Sequence, residues 1–250
     1  MPPKTIFITG TDTGVGKTLL TALLLEHLLQ NGVDALAMKP FCSGNRRDVQ
    51  LLQRIQGARL PDQEINPFFF PEPLAPLINA RKLGSRISMA QVLKTIRHVQ
   101  NKCGCLLVEG AGGVLAPLGE QYTALELIKR LGCDVIVVGR NRLGVLNHVL
   151  LTLQALRGTN GNSWGIQAAK RRTGPMSREI IVALMDEARP DLAALSNPRF
   201  LAETLGPDAI VQVPFLGTNA SIVRAIKKNA KKEKKGLHRL LARIRCPSFF

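Results

Sequence analysis

The stretch "FITGTDTGVGKTLLTALLLEHLL", residues 7–29, decides how the rest of the chain is read. An apolar run breaks into glycines, closes on Gly16-Lys17-Thr18 and becomes a leucine-rich helix. A turn of this kind brings free backbone N–H groups and the positive end of a helix onto an anion. In such loops the lysine reaches the β- and γ-phosphates and the next hydroxyl meets Mg²⁺. Lys17 and Thr18 are the candidates for those two roles, with Gly14, Val15, Gly16 and Leu19 around them. The common spacing would put the first glycine of the loop at Thr11, whereas here it is Gly10. Binding of a nucleoside triphosphate is the firmest implication.

Outward from this loop, strand-like and helical patterns alternate. Strands are expected at 4–9, 34–39, 104–110, 134–139, 163–169 and 209–214. Helices are expected near 17–30, 47–57, 88–101, 121–131, 144–157 and 176–188, with a short helical turn near 197–205 and a basic helix from about 218. Continuous apolar strands between amphipathic helices predict a mostly parallel sheet covered on both faces. The expected fold is therefore a single doubly wound α/β domain of the P-loop NTPase type. Residues 66–88, with four prolines and the run Phe68-Phe69-Phe70, read as irregular. Covering a substrate, contacting a second subunit and capping the core all stay open for that segment.

At 45% apolar and 21% charged residues, the composition is that of an ordinary globular protein and excludes a disordered or fibrous chain. There is no apolar run long enough to span a bilayer and no secretory leader pattern at the N-terminus, so a cytoplasmic protein is expected. Five cysteines without a CxxC pair read as reduced thiols. The net charge of +16 is concentrated: residues 224–245 hold ten Lys/Arg against Glu233, a net of +9. The expected organisation is thus a domain over 1–226 and a basic amphipathic extension over 227–250, read as a solvated helix. Contact of that extension with nucleic acid or an anionic membrane stays open.

Beyond the loop, the motifs "GTDTGVGKT", "KPFCSG" (39–44), Asp48, "NPFFFPEPLAPLINA" (66–80), "VEGAGG" (108–113), "VVGRNRLGVLNHVLLTLQAL" (137–156) and "VPFLG" (213–217) occur in one order. Together they resemble the dethiobiotin synthetases of biotin biosynthesis over about residues 4–217. The resemblance implies a homodimeric enzyme that uses ATP, Mg²⁺ and CO₂ or bicarbonate to convert 7,8-diaminononanoate into a cyclic urea. The expected intermediates are a carbamate and its mixed anhydride with phosphate.

That chemistry needs positive charge where a phosphoryl group moves onto a carbamate oxygen. Lys17 and Lys39 are the candidate catalytic residues, the second at the carboxyl end of a strand where ligands of open α/β sheets bind. Thr18, Asp48 and Glu109 offer one hydroxyl and two carboxylates, a hard oxygen set suited to Mg²⁺. The resemblance adds Thr13 and Ser43 as substrate contacts. It also adds Gly110, Ala111, Gly112, Pro214, Phe215 and Leu216 as nucleotide contacts. It places the "RLGVLNHVL" helix at a dimer interface near the substrate carboxylate.

Two features depart from the family pattern. The asparagine that ends the strand after the interface helix and reads the nucleobase is expected at Ala169, which implies weaker discrimination among triphosphates. The basic tail is the other. The shifted glycine also fits the partition and septum-site ATPases, but their additional signature lysine, five residues before Lys17, is replaced by Asp12. A cobalamin-pathway amidotransferase synthetase would need a glutaminase domain for which this chain has no room.

Overall fold

The computed structural model describes residues 3–158, 178–217, 222–232 and 234–244. In chain order the elements are β1 (Lys4–Gly10), α1 (Lys17–Gln30), β2 (Ala35–Met38), β3 (Phe41–Ser43), α2 (Arg47–Gln56), α3 (Asp62–Ile65), β4 (Phe68–Phe70) and α4 (Pro76–Lys82). They continue with α5 (Met89–Gln100), β5 (Cys105–Gly113), β6 (Pro117–Gly119), β7 (Tyr122–Thr123), α6 (Ala124–Leu131), β8 (Asp134–Arg140) and α7 (Val145–Arg157). The last are β9 (Ile180–Met185), α8 (Leu192–Leu205), β10 (Ile210–Val213), α9 (Ile222–Lys232) and α10 (Lys234–Arg243).

Six strands form one sheet in the order β10-β9-β8-β1-β5-β2, and every pairing in it is parallel. Successive residues of β1, β5 and β8 are buried even though they point to opposite faces. Both faces are therefore covered, as their continuous apolar sequences require. The chain runs from β1 out to β2, returns to β5, then crosses β1 to reach β8. That reversal opens a crevice at the carboxyl ends of the central strands.

Two expected elements differ, and a third lies outside the described residues. Residues 180–185 form a strand, β9, where a helix near 176–188 is expected. "IIVALM" is an unbroken apolar run, which periodicity assigns equally to a buried strand or a buried helix, and parallel pairing with β8 and β10 settles it. The strand expected at 163–169, including Ala169, lies outside the described residues. The turn expected near 197–205 is the end of a longer helix, α8, whose Asp191 cap accepts from the Ala194 backbone N–H at 2.9 Å.

Residues 66–88 are less irregular than their prolines imply. Phe68, Phe69 and Phe70 pair in parallel with Phe41, Cys42 and Ser43, and Pro76 opens α4 at its first turn, where a missing N–H costs nothing. The basic tail is not a solvated helix either. Leu237, Leu240, Leu241 and Ile244 are at most 1% exposed and belong to the main core, while α9 packs along α1. Burying four large aliphatic side chains outweighs leaving that face in water. Cys42, Cys103 and Cys133 are buried free thiols, and Cys105 is buried as well.

Candidate active site

The loop between β1 and α1 is shaped by glycines at two kinds of position. Gly14 and Gly16 have φ of 71° and 102°, the left-handed region in which a side chain is strained. Gly10 is needed for closeness instead. A Cβ there would lie 2.8 Å from Val15 Cγ2, 3.0 Å from the Asp12 carbonyl oxygen and 3.1 Å from Lys17 Nζ. The one-residue shift of the first glycine thus has a local reason: β1 must pass directly under the loop.

Lys17 is buried, and its Nζ donates to the Asp12 carbonyl at 2.8 Å, which folds the side chain back over the loop. Burial brings its pKa down to about 8, against the pull of Glu109, and the neighbouring charge of Lys39 depresses it further. An ammonium held at this cost is well placed to gain from an arriving polyanion.

Beside it lies a chain of polar groups from α1, α2, β5 and the residue that follows β2. Thr18 Oγ1 donates to Glu109 Oε1 at 2.7 Å, and Lys39 Nζ donates to the same oxygen at 2.8 Å. Lys39 Nζ also donates to Asp48 Oδ2, in the first turn of α2. Asp48 is thus both a helix-start carboxylate and a member of the cluster. Burial alone would lower the Lys39 pKa, but the charges of Glu109 and Asp48 outweigh it and raise it above the ordinary lysine value. Lys39 is a permanent cation.

Glu109 is 0% exposed, so a solvated strand-end carboxylate is excluded. Its second oxygen, Oε2, is buried with no hydrogen-bond partner. An orphaned carboxylate oxygen beside a threonine hydroxyl and a phosphate loop fits a hard divalent cation. Among the described residues no group of three His, Cys, Asp or Glu side chains could hold a metal. Such a cation would therefore draw its other ligands from phosphate and water, as Mg²⁺ commonly does.

The glycines after Glu109 bring β5 against the loop. A Cβ on Gly112 would meet Ala116 at 3.0 Å and Thr13 Oγ1 at 3.8 Å, and one on Gly110 would strike the Phe7 ring at 2.8 Å. Gly110, Ala111, Gly112 and Thr13 are thereby gathered with Gly14, Val15, Gly16 and Leu19 at one end of the sheet. Ser43 ends β3 and accepts from Asn79 Nδ2 at 3.5 Å. Asn66 Nδ2 donates to the Lys39 carbonyl at 2.9 Å, so residues 66–88 support the backbone that carries Lys39 and Ser43.

Pro214, Phe215 and Leu216 are not part of this cluster. They follow β10 at the sheet edge, three strand spacings or about 14 Å from β1. Between them lie residues that the motifs alone do not single out. Arg140 donates through Nε and Nη2 to the Gly14 carbonyl at 3.0 and 2.7 Å. Asn141 is 0% exposed and donates to Asp186 Oδ1 at 2.8 Å, while Gln212 donates to both Asp186 oxygens. Met185 lies 3.1 Å from where a Gly16 Cβ would stand. The strand end beside the loop is therefore that of β9. The available signal was "VVGRNR", whose Arg140 and Asn141 end the strand next to β1.

A family profile described as an AAA domain matches residues 4–216. Among curated proteins, the ATP-dependent dethiobiotin synthetase of Bacillus licheniformis is 40% identical over 224 residues, 88% of this chain and 86% of that protein. The Bacillus subtilis enzyme of the same name is 34% identical over 226 residues, 88% and 89% of the two chains. Among solved structures, a ParA bound to nonspecific DNA aligns with a TM-score of 0.56 at 14% identity, covering 97% of this chain and 99% of that one. An Aquifex aeolicus MinC:MinD cell division complex aligns with a TM-score of 0.55 at 13% identity, covering 97% and 96%. At such identity these two likenesses concern the fold alone.

Proposed function

Since the chain belongs to the ATP-dependent dethiobiotin synthetase family, we propose that it closes 7,8-diaminononanoate and CO₂ into dethiobiotin, with ATP consumed to ADP and phosphate. One observation carries the site assignment: Lys39 and Thr18 converge on Glu109 beside the phosphate loop, and the free Glu109 oxygen is left buried.

A carbamate formed from one amine and CO₂ is a poor electrophile, because its carbon is flanked by an anionic oxygen. Attack of that oxygen on the γ-phosphorus forms an O–P bond and releases ADP, giving a carbamic–phosphoric anhydride. The second amine then attacks the carbon, phosphate leaves, and the ring closes. Lys17, with Gly14, Val15 and Gly16, holds the β- and γ-phosphates. Lys39 faces the carbamate and offsets the charge that builds on the transferred group. Ser43 and Thr13 orient the diamine. Thr18, Asp48 and Glu109 are the residues that would hold Mg²⁺, which neutralises phosphate charge when bound.

The base end of the nucleotide extends from the loop toward β9 and β10, where Pro214, Phe215 and Leu216 lie. A homodimer through α7 is part of the proposal; Leu143, just before that helix, and Leu151, on it, are 81% and 56% exposed. The catalytic unit is read as residues 1–226, with 227–250 a basic extension whose described apolar side chains pack onto it. No described helix is long and apolar enough to cross a membrane; a cytoplasmic location is part of the proposal.

The test is phosphate release from MgATP and bicarbonate, with and without 7,8-diaminononanoate, alongside mass detection of the product. Diamine-dependent turnover to the cyclic urea is expected. Hydrolysis indifferent to the diamine would overturn the reading.

A further inference from the structure

The fold uses up the apolar side of the C-terminal helices and leaves their basic side in water. In α9, Ile226 and Ala230 are fully buried, whereas Arg224, Lys227 and Lys228 share the exposed face at spacings of three and four. In α10, Leu237, Leu240, Leu241 and Ile244 are buried and Arg239 is exposed. Arg54 is exposed on α2, which packs against α9. Arg243, by contrast, is neutralised by Glu179 at 3.2 Å. None of Arg54, Arg224, Lys227, Lys228 and Arg239 has a carboxylate partner among the described residues. The sequence adds Lys231, Lys232, Lys234 and Lys235 between them, against Glu233.

We infer that this face binds double-stranded nucleic acid through its phosphates, without reading sequence. A helix that inserts into a membrane interface needs a free apolar face, and here that face is already in the protein core, which leaves a membrane only surface attraction through its anionic headgroups. A single strand is held largely by stacking on aromatic rings, and residues 222–243 contain no Phe, Tyr or Trp. What remains is a set of exposed cations on α9 and on the α2 and α10 helices that pack against it, the complement of a duplex backbone.

The surface is separate from the phosphate loop. Gln30 Nε2 donates to the Lys227 carbonyl at 3.4 Å and His27 Nδ1 lies 3.3 Å from the Ala230 carbonyl oxygen, so α9 lies against the far end of α1. Lys17 opens that helix and His27 is ten residues on, about 15 Å along its axis. The inference therefore goes beyond the ligase reading and does not depend on it.

The experiment measures anisotropy of a fluorescein-labelled 20-base-pair duplex against the full chain at several salt concentrations. Four engaged cations give a slope of log affinity against log salt of about −3.6, so that raising salt from 50 to 200 mM weakens binding about 150-fold. The variant Arg224→Glu/Lys227→Glu/Lys228→Glu/Arg239→Glu should lose at least tenfold in affinity and flatten that slope, with thermal unfolding and phosphate release unchanged. If charge reversal impairs folding, the corresponding four Gln substitutions provide the same comparison. Saturating MgATP should leave duplex binding in place. Unaltered affinity in a folded variant would overturn the inference. So would displacement by MgATP, which would locate the duplex at the phosphate loop, or tighter binding to phosphatidylglycerol vesicles than to the duplex at equal salt.

Discussion

Lys39 and Glu109, seventy residues apart in the chain, meet at 2.8 Å in the interior, and the glutamate keeps its second oxygen without a partner. The contact joins the end of β2 to β5, neighbours in the sheet. It holds a permanent cation next to a vacant acceptor.

Replacing Lys39 by Met should therefore do two things. It removes the cation that faces the transferred phosphoryl group, so kcat should fall about 100- to 1000-fold, the usual effect of losing a preorganised charge-stabilising donor. It also strands Glu109 with the Thr18 hydroxyl alone, so stability should fall by about 3 kcal/mol, as when one partner leaves a buried pair. Steady-state kinetics and urea unfolding measure the two. A variant with full activity would refute the assigned role.

For Glu109→Gln the expected signature is in Mg²⁺ dependence. Altering a group that merely supports a metal ligand costs about 10- to 100-fold in metal affinity. Loss of a direct ligand should cost at least as much, shifting the Mg²⁺ concentration for half-maximal phosphate release upward by that factor. An unshifted Mg²⁺ titration would place the metal elsewhere.

At Gly10 the test is steric. The added methyl of Gly10→Ala would press on Val15, the Asp12 carbonyl and Lys17 Nζ at once. Overpacking of this kind costs about 1–3 kcal/mol, which as weakened nucleotide binding is about 5- to 150-fold in Kd for ATP. Calorimetric titration with a non-hydrolysable ATP analogue reads it directly. Gly32→Ala, where a Cβ meets nothing within 4 Å but φ is 73°, should leave ATP binding unchanged and cost only stability.

The start of α6 supplies a pH-dependent prediction. Thr123 Oγ1 donates to Glu126 Oε2 at 2.5 Å, and the Thr123 backbone N–H donates to it at 2.9 Å. The Thr123 hydroxyl, followed by its N–H, holds the Glu126 carboxyl below its ordinary value of 4.5. A depressed folded-state pKa contributes stability that is present above pH 4.5 and is lost as pH falls through the lower folded value. Thr123→Ala should cost about 1 kcal/mol at pH 7. The gap between the two proteins should narrow below pH 4, as urea unfolding at both pH values would show.

How far the sequence could be read depends on how local each signal is. Gly10 to Thr18 lie in one continuous segment, and strand, glycines, lysine and hydroxyl appear there in the order that their contacts require. Lys39, Asp48 and Glu109 could be named from their motifs, but nothing in their spacing says that one ammonium joins both carboxylates. Arg140 and Asn141 carry no such local signal, because their partners, Gly14 and Asp186, are reached only across the sheet. The run "IIVALM" carries no period, so its identity as β9 rested on what lay beside it.

The residues alone carry the mostly parallel α/β class and the phosphate loop through backbone preference and side-chain period, and the family through motifs spread over 4–217, but not the identity of β9. Three facts come from packing: Glu109 is fully buried with one free oxygen, Gly10 is required by closeness rather than by its dihedral angles, and the basic tail keeps its described apolar face inside. Burial and pairing are properties of neighbours brought together from distant parts of the chain. Helical spacing can mark an apolar face on α10, but only the presence of β10 and α1 beside it shows that the face is already covered.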